Sequence, residues 1–290
     1  MKYSSITTVD PSFRAVLFDL SGTTLDEGYI RCGFAAAAAE IASRWNIDPD
    51  AAGAAFMPVF RAVSTRYASR LFYAMSDVVC DVFAQIVTDF GWSAHDDELL
   101  AIEECMWKAA IPTAAATDGA IETLMLLRDA GIKTGIVSYA DAWVFRALLE
   151  QTGLAGLADV ELCSEEAGSC KPDSAIFLQA LAAVDTSPQD ALFVGDTVET
   201  DVVGASRVGM RTALLSGREF SLNTSSSAAA DHQPTHRISK LSEVVDLVLT
   251  PRRDAGGWSR SGGDDTVTRP AHRNSSPHQP ASSARALCDL

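Results

Sequence analysis

Short apolar segments that end at a polar residue recur along this chain, and they limit the folds open to it more than any other feature. Three segments end in this way, at residues 14–19, 133–138 and 190–196, and a fourth apolar segment at 211–215 is followed by Ser216. Amphipathic segments of helical spacing separate them, at residues 118–130, 140–152 and 173–183. Buried strands that alternate with helices predict an α/β fold with a doubly wound parallel sheet. Such sheets bind ligands at the carboxyl ends of their strands, where Asp19, Ser138 and Asp196 lie.

The strand pattern stops between residues 28 and 112, where alanine-rich and aromatic helical segments replace it, at residues 34–45, 51–74, 78–90 and 97–109. This stretch predicts an all-α cap domain, inserted after the first strand and placed above its end, where it can act as a lid. The α/β core then comprises residues 1–27 and 113–250, with a last short strand and helix at 235–249. Residues 251–290 hold Gly, Ser, Pro, Arg and His with little apolar spacing, which predicts a disordered tail.

The balance of charge narrows the range of partners. Lys and Arg number 23 against 38 Asp and Glu, a formal net charge of −15 that repels nucleic-acid phosphates and anionic membranes. We therefore expect no nucleic acid and no membrane as a partner. The start of the sequence lacks a signal-peptide pattern and the six cysteines form no paired motif, so we expect reduced thiols and a cytoplasmic protein. A homodimer formed through the cap is left open.

Charged and hydroxyl side chains gather where the predicted strands end. The candidates are Asp19, Ser138, Lys171, Asp196 and Asp201. Each alone has an ordinary explanation, such as a turn, a helix cap or a solvated side chain. Their order and spacing on one alternating sheet instead indicate a single crevice, because the carboxyl ends of parallel strands meet at one edge.

These motifs resemble the haloacid dehalogenase superfamily of hydrolases that attack through an aspartate, and specifically members with a helical cap after the first strand. The resemblance covers residues 14 to about 249, and it rests on three elements: Asp-Leu-Ser-Gly-Thr-Thr-Leu-Asp at 19–26, Lys-Pro-Asp at 171–173 and Gly-Asp-Thr-Val-Glu-Thr-Asp at 195–201. It implies a phosphohydrolase with Mg²⁺ as cofactor and a small phosphorylated metabolite as substrate.

The resemblance also implies a role for each residue. Asp19 is the nucleophile that forms an aspartyl-phosphate, and Lys171 neutralises charge between it and the phosphoryl group. Asp19, Asp196 and the backbone carbonyl of Ser21 hold Mg²⁺, while Asp201 lies behind these ligands and orients either the lysine or a metal-bound water. Phosphoryl oxygens receive hydrogen bonds from the residues that remain: Gly22, Thr23, Ser138 and Lys171.

Ser21 departs from the pattern of the family phosphatases, which carry a second Asp two positions after the nucleophile. That Asp protonates the leaving group and later activates water, and a serine does neither job well. Because general acid–base help is worth about 10²–10⁴-fold, we expect slow turnover of alkyl phosphates. Substrates with good leaving groups, such as acyl phosphates, phosphoanhydrides or phosphoramidates, suffer least. Either the substrate is an activated compound of this kind, or the enzyme keeps a long-lived aspartyl-phosphate.

Two alternatives stay open. The segment 19–26 is also similar to phosphonoacetaldehyde hydrolases, which cleave carbon–phosphorus bonds and need a cap lysine. The cap here has no lysine before Lys108, and Arg61 stands near the expected place; arginine stays protonated and forms no imine. The other alternative is a scarcely active protein that binds phosphate for regulation, because Ser21 removes the proton-transfer step.

Overall fold

The computed structural model describes residues 13–216 and 233–249. Six parallel strands form one sheet in the order β3-β2-β1-β4-β5-β6. The strands are β1 (Ala15–Phe18), β2 (Lys133–Ser138), β3 (Val160–Cys163), β4 (Ala191–Gly195), β5 (Arg211–Leu215) and β6 (His236–Ile238). The predicted doubly wound α/β fold is confirmed.

Side chains of β1 alternate between two apolar clusters, one on each face of the sheet. Ala15 and Leu17 belong to the cluster that α8 (Ser174–Ala183) and α9 (Val203–Arg207) cover. Val16 and Phe18 belong to the other, which three further helices cover: α5 (Ala120–Asp129), α6 (Ala142–Thr152) and α10 (Ser242–Leu249). Burial on both faces explains why the strand is apolar at every position.

Four helices follow β1 before the next strand begins. They are α1 (Gly28–Trp45), α2 (Pro49–Tyr67), α3 (Met75–Asp89) and α4 (Asp96–Ala110), and we call them together the helical insert. Their buried faces form a third apolar cluster of their own, built around residues such as Ile41, Phe56 and Phe83. Within the described residues, no helix is both long and apolar enough to cross a bilayer.

The structure corrects the expected elements in two places. β3 was not among the predicted strands, because it lies at the sheet edge and alternates apolar residues with an acid, Val-Glu-Leu-Cys. The second helix of the insert ends at Tyr67 instead of continuing to residue 74. There the chain turns towards the segment that precedes α8: the Cys170 N–H donates to the Leu71 carbonyl at 2.8 Å.

Other expectations meet the described residues only in part. A short helix, α7 (Ser164–Ala167), lies between β3 and α8 and was not among the predicted elements. Four cysteines of the described residues are free thiols: Cys80, Cys105, Cys163 and Cys170. The predicted tail at 251–290 lies outside the described residues. The division into core and cap at residues 27/28 and 112/113 stays a prediction.

Candidate functional site

The order of the sheet reverses between β1 and β4, which are neighbours although β2 and β3 come between them in the chain. Open α/β sheets form a crevice at such a reversal. Asp19 directly follows β1 and Asp196 directly follows β4, while Ser138 ends β2 on the other side of β1. All three residues line one cavity at the carboxyl ends of the strands, which we call the site edge of the sheet.

Lys171 reaches the same edge from the segment between α7 and α8. Its side chain is 3% exposed, and its ammonium group contacts Oδ1 of Asp19 and, at 2.8 Å, Oδ1 of Asp201. Burial alone would lower the pKa of Lys171, but the charges of Asp19 and Asp201 outweigh burial and raise it. The lysine is therefore a permanent cation beside the carboxylate of Asp19.

A turn of π-helix at Val198–Val202 carries Asp201 back beneath the end of β4. The second carboxylate oxygen of Asp201 accepts a hydrogen bond from the Thr197 N–H at 3.1 Å. Gly195 makes this approach possible, since a Cβ at that position would lie 2.3 Å from Asp201 Oδ2. The glycine in the Gly-Asp-Thr motif is thus required by the close packing of the acid that holds Lys171.

Asp19, Asp196 and Asp201 each offer a carboxylate oxygen within 4.8 Å of the other two. Gly22 adopts a left-handed backbone with φ of 85°, and a Cβ there would lie 2.3 Å from Asp196 Oδ2. The turn after β1 therefore approaches Asp196 as closely as a chain can. A donor set made of carboxylate oxygens fits a hard divalent cation such as Mg²⁺.

Burial of this acidic group changes how it titrates. Loss of hydration raises the pKa of Asp19 from 3.8 to about 7; Lys171 opposes the rise, and Asp201 adds to it. Burial likewise raises the pKa of Asp196 from 3.8 to about 7, with the charges of Asp201 and Glu27 adding to the effect. Carboxylates that hold protons this firmly gain from a nearby cation, which is what a metal supplies.

These shifts predict a pH dependence of stability in the metal-free protein. Because both folded-state pKa values lie above the unfolded value, the folded protein binds more protons from about pH 4 to pH 7, and the free energy of unfolding falls through that window. Urea unfolding of the chain and of Asp196→Asn across the window checks it. The free energy of unfolding of the variant, relative to that of the unsubstituted chain, should rise with pH. A constant difference would contradict the assigned titration.

Two predicted phosphate ligands are not brought to the cavity. Gly22 and Thr23 do not line it, and their N–H groups donate within the turn, to the carbonyls of Leu25 at 2.8 Å and Leu20 at 3.2 Å. Their predicted hydrogen bonds to phosphoryl oxygens are therefore not supported by this arrangement. Ser138, by contrast, lines the cavity, and its hydroxyl bonds to no other described side chain or backbone group.

Ser21 lies at the cavity with a partner that sequence reasoning missed. Its Oγ lies 2.7 Å from the hydroxyl oxygen of Tyr29, a buried residue in the first turn of α1. Burial raises the pKa of Tyr29, so the phenol stays neutral. No motif marks Tyr29, because the contact arises only when α1 folds back over the turn after β1. The position of the usual acid thus holds two neutral hydroxyls.

The cavity has a volume of about 730 Å³ and lies between the sheet edge and the helical insert. Asp141, just after β2, accepts hydrogen bonds at 2.7 Å from the N–H groups of Met75 and Ser76 at the start of α3. Asp141 thus caps the N-terminus of α3 although it does not belong to the insert. The two hydrogen bonds hold the insert over the site. Arg61 also lines the cavity, and Lys171 is the lysine that lines it among the described residues.

Comparison with known proteins agrees with the geometry. The family model of haloacid dehalogenase-like hydrolases matches residues 13–209, more than half of the chain. Ribulose-1,5-bisphosphate 5-phosphatase of Halopiger xanaduensis is 35% identical over 158 residues, which cover 54% of this chain and 66% of that protein. Glyceraldehyde 3-phosphate phosphatase of Methanopyrus kandleri is 31% identical over 134 residues, 46% of this chain and 57% of that protein. The chain thus spans less than two thirds of the length of these curated relatives.

A solved structure shares the fold. The HAD-hydrolase YfnB from Bacillus subtilis, bound to magnesium, superposes with a TM-score of 0.64 at 21% sequence identity, over 81% of this chain and 98% of that one. The matched region of the family model contains every candidate residue from Asp19 to Asp201. The chain therefore belongs to the haloacid dehalogenase-like hydrolase family.

Proposed function

We propose that this chain is a Mg²⁺-dependent phosphohydrolase that acts on a small phosphorylated metabolite through an aspartyl-phosphate on Asp19. The observation that carries the proposal is the buried ammonium group of Lys171, held between Asp19 and Asp201 at the floor of a cavity. Structural packing gives no reason to bury a lysine and two acids beside an opening. The names of the curated relatives, both phosphatases, support the same reaction class.

Two displacements at phosphorus make up the reaction. A carboxylate oxygen of Asp19 bonds to phosphorus while the bond to the leaving group breaks, and the leaving group departs with the electron pair. Water then attacks the aspartyl-phosphate, its proton passes to solvent, and inorganic phosphate and the Asp19 carboxylate are released. In this proposal Lys171 lowers the repulsion between Asp19 and the phosphoryl group, and the hydroxyl of Ser138, which lines the cavity, donates to a phosphoryl oxygen.

Asp19, Asp196 and the Ser21 carbonyl would hold Mg²⁺, which supplies positive charge to a site with an excess of acids. Asp201 is committed to Lys171 and to the Thr197 N–H, so its part is to hold the lysine. Phosphate release from a panel of acyl phosphates, anhydrides, phosphoramidates, alkyl esters and phosphonates, with and without Mg²⁺, tests the proposal. Metal-dependent binding without release would favour a regulatory protein instead.

The neutral hydroxyls at Ser21 and Tyr29 predict the substrate preference. Ser21→Asp should raise turnover of alkyl phosphates by about 10²–10⁴-fold, because a carboxyl group can then protonate the alkoxide. Turnover of acyl phosphates should change little, since their leaving group needs no proton. Steady-state kinetics on both substrate classes measures this, and Ser21→Asn is the matched control that adds an amide of similar shape without acidity. Equal effects on both classes, or none in a folded variant, would remove the leaving-group argument.

A cytoplasmic location, a metabolite as partner and contact between two copies through the helical insert belong to the same proposal. They predict a protein that needs no nucleic acid or membrane for activity. The carbon–phosphorus reaction receives no support from the site, because the described lining of the cavity contains no lysine from the insert.

A further inference from the structure

The helical insert gives the cavity an apolar wall that the phosphoryl chemistry leaves unexplained. Side chains from α1, α2, α3 and α4 contribute to it: Phe34, Phe60, Val78, Val79, Met106 and Trp107. We call these six residues the apolar chamber. Phe34 and Trp107 are half-buried, whereas Val78, Val79 and Met106 are almost fully buried, so only a small part of these three side chains reaches the cavity. A phosphoryl group alone would use none of this surface.

Except for Arg61, the charged residues of the cavity come from segments other than the four helices of the chamber. Asp19, Lys171 and Asp196 form its floor at the sheet edge. On the insert, polar side chains come from the second half of α2 and the turn after it, where Arg61 and Arg70 line the cavity. A substrate that fills both parts therefore needs a phosphoryl group at one end and an apolar body at the other.

The chemistry at the floor restricts that apolar body further. Ser21 and Tyr29 are neutral hydroxyls that can donate a hydrogen bond to a leaving oxygen but protonate it poorly. An apolar alkoxide leaves badly without a proton. The alkyl group of a simple ester would therefore match the apolar chamber, but its leaving oxygen would not receive the proton that it needs. Acyl phosphates and anhydrides have leaving groups that need no proton from Ser21 or Tyr29, but these leaving groups are polar or charged and do not match the apolar chamber. A phenolic leaving group satisfies both parts, because it departs as a stabilised anion and carries a flat apolar ring.

We infer that the substrate is an aryl phosphate, whose ring occupies the apolar chamber and whose phenolic oxygen faces the hydroxyls of Ser21 and Tyr29. The inference rests on the proposed function. A cavity of about 730 Å³ accommodates one or two fused rings beside the phosphoryl group. Three of the six chamber residues, Phe34, Phe60 and Trp107, are aromatic, and an aromatic wall favours a ring over an aliphatic chain of equal area.

Binding of non-hydrolysable phosphonates tests the inference apart from turnover. We would titrate the full chain carrying Asp19→Asn, with Mg²⁺ present, with phenylphosphonate, methylphosphonate and 2-carboxyethylphosphonate in a calorimeter. Burial of the ring should make phenylphosphonate bind about 10- to 100-fold more tightly than methylphosphonate. Equal affinities would overturn the inference. Tightest binding of the carboxylated probe would also overturn it and would assign the leaving group to Arg61 and Arg70.

A pair of variants locates the ring. Val79→Thr keeps the shape of a chamber residue but adds a hydroxyl, and it should weaken phenylphosphonate binding by about fivefold more than methylphosphonate binding. Val87→Thr makes the same change in the same helix at a buried position outside the cavity, and it should leave the ratio of the two affinities unchanged. A ratio that falls equally in both variants, or in neither, would contradict a ring in the chamber.

The outcomes separate this inference from the proposed function. Mg²⁺-dependent release of phosphate from acetyl phosphate through Asp19, together with equal phosphonate affinities, would keep the hydrolase and reject the aryl substrate. No release from acetyl or phenyl phosphate would reject the hydrolase, while the phosphonate affinities would still report what the chamber binds. Release from phenyl phosphate with a selectivity that Val79→Thr lowers would support both.

Discussion

We expect the Asp19→Asn variant to release phosphate at least about 10⁴-fold more slowly than the unsubstituted chain on every substrate that the latter hydrolyses. The amide cannot form the aspartyl-phosphate, so both displacements at phosphorus are lost. The fold should persist, because the asparagine oxygen can still accept from Lys171 and Asp201 remains as the partner of that lysine. Initial rates of phosphate release, with circular dichroism to confirm folding, give the measurement.

A second aspartate–lysine pair provides the control for this variant. Asp159 pairs with Lys133 at 2.8 Å at the start of β3 and β2, the opposite edge of the sheet from the site. Asp159→Asn should therefore leave the rate within about twofold. Residual activity of Asp19→Asn similar to that of Asp159→Asn would exclude Asp19 as the nucleophile.

Lys171→Met should damage both activity and stability. The rate should fall by about 10²–10³-fold, because the cation that offsets the charge of nucleophile and phosphoryl group is gone. The free energy of unfolding should fall by about 3–5 kcal/mol at neutral to alkaline pH, since Asp19 and Asp201 lose their buried counterion. Urea unfolding at several pH values measures the second effect.

The pH dependence of the Lys171→Met variant has a definite sign. Without the lysine the pKa of Asp19 rises further, because Lys171 is the charge that opposes its rise, so the folded state holds a proton that the unfolded state releases. The loss of stability should therefore grow as the pH rises and should shrink towards about pH 5, where Asp19 is neutral. Lys133→Met, which removes the half-exposed lysine of the control pair, should cost no more than about 1 kcal/mol. Equal losses in the two variants would contradict a buried charge cluster.

The site residues that could be predicted from the sequence pattern are those that lie at the carboxyl ends of strands. Asp19, Ser138 and Asp196 were identifiable because a buried strand reads as a continuous apolar run and its carboxyl end as the first polar residue after it. Lys171 and Asp201 needed the resemblance to a family, since a lysine before a helix and an acid in a turn have ordinary explanations. The fold follows from the same alternation of strands and helices.

The remaining features depend on tertiary contacts that no local pattern records. Tyr29 reaches Ser21 only because α1 folds back over the turn after β1. Asp141 bonds to the start of α3, which lies 65 residues away along the chain. The amides of Gly22 and Thr23 were assigned to phosphate because a glycine-rich turn offers donors, but the turn uses these amides itself. The apolar chamber combines side chains from four helices. In the sequence, these apolar residues cannot be distinguished from those that pack in the core.

Trapping the intermediate tests the central claim most directly. Acid quenching during turnover of phenyl phosphate or acetyl phosphate with Mg²⁺, followed by mass spectrometry of the peptide that contains Asp19, reports any phosphoryl group on that residue. We predict a peptide heavier by one phosphoryl group, sensitive to hydroxylamine as an acyl phosphate should be, and absent from Asp19→Asn. Rapid phosphate release with no label on Asp19, or with the label on another residue, would contradict the account.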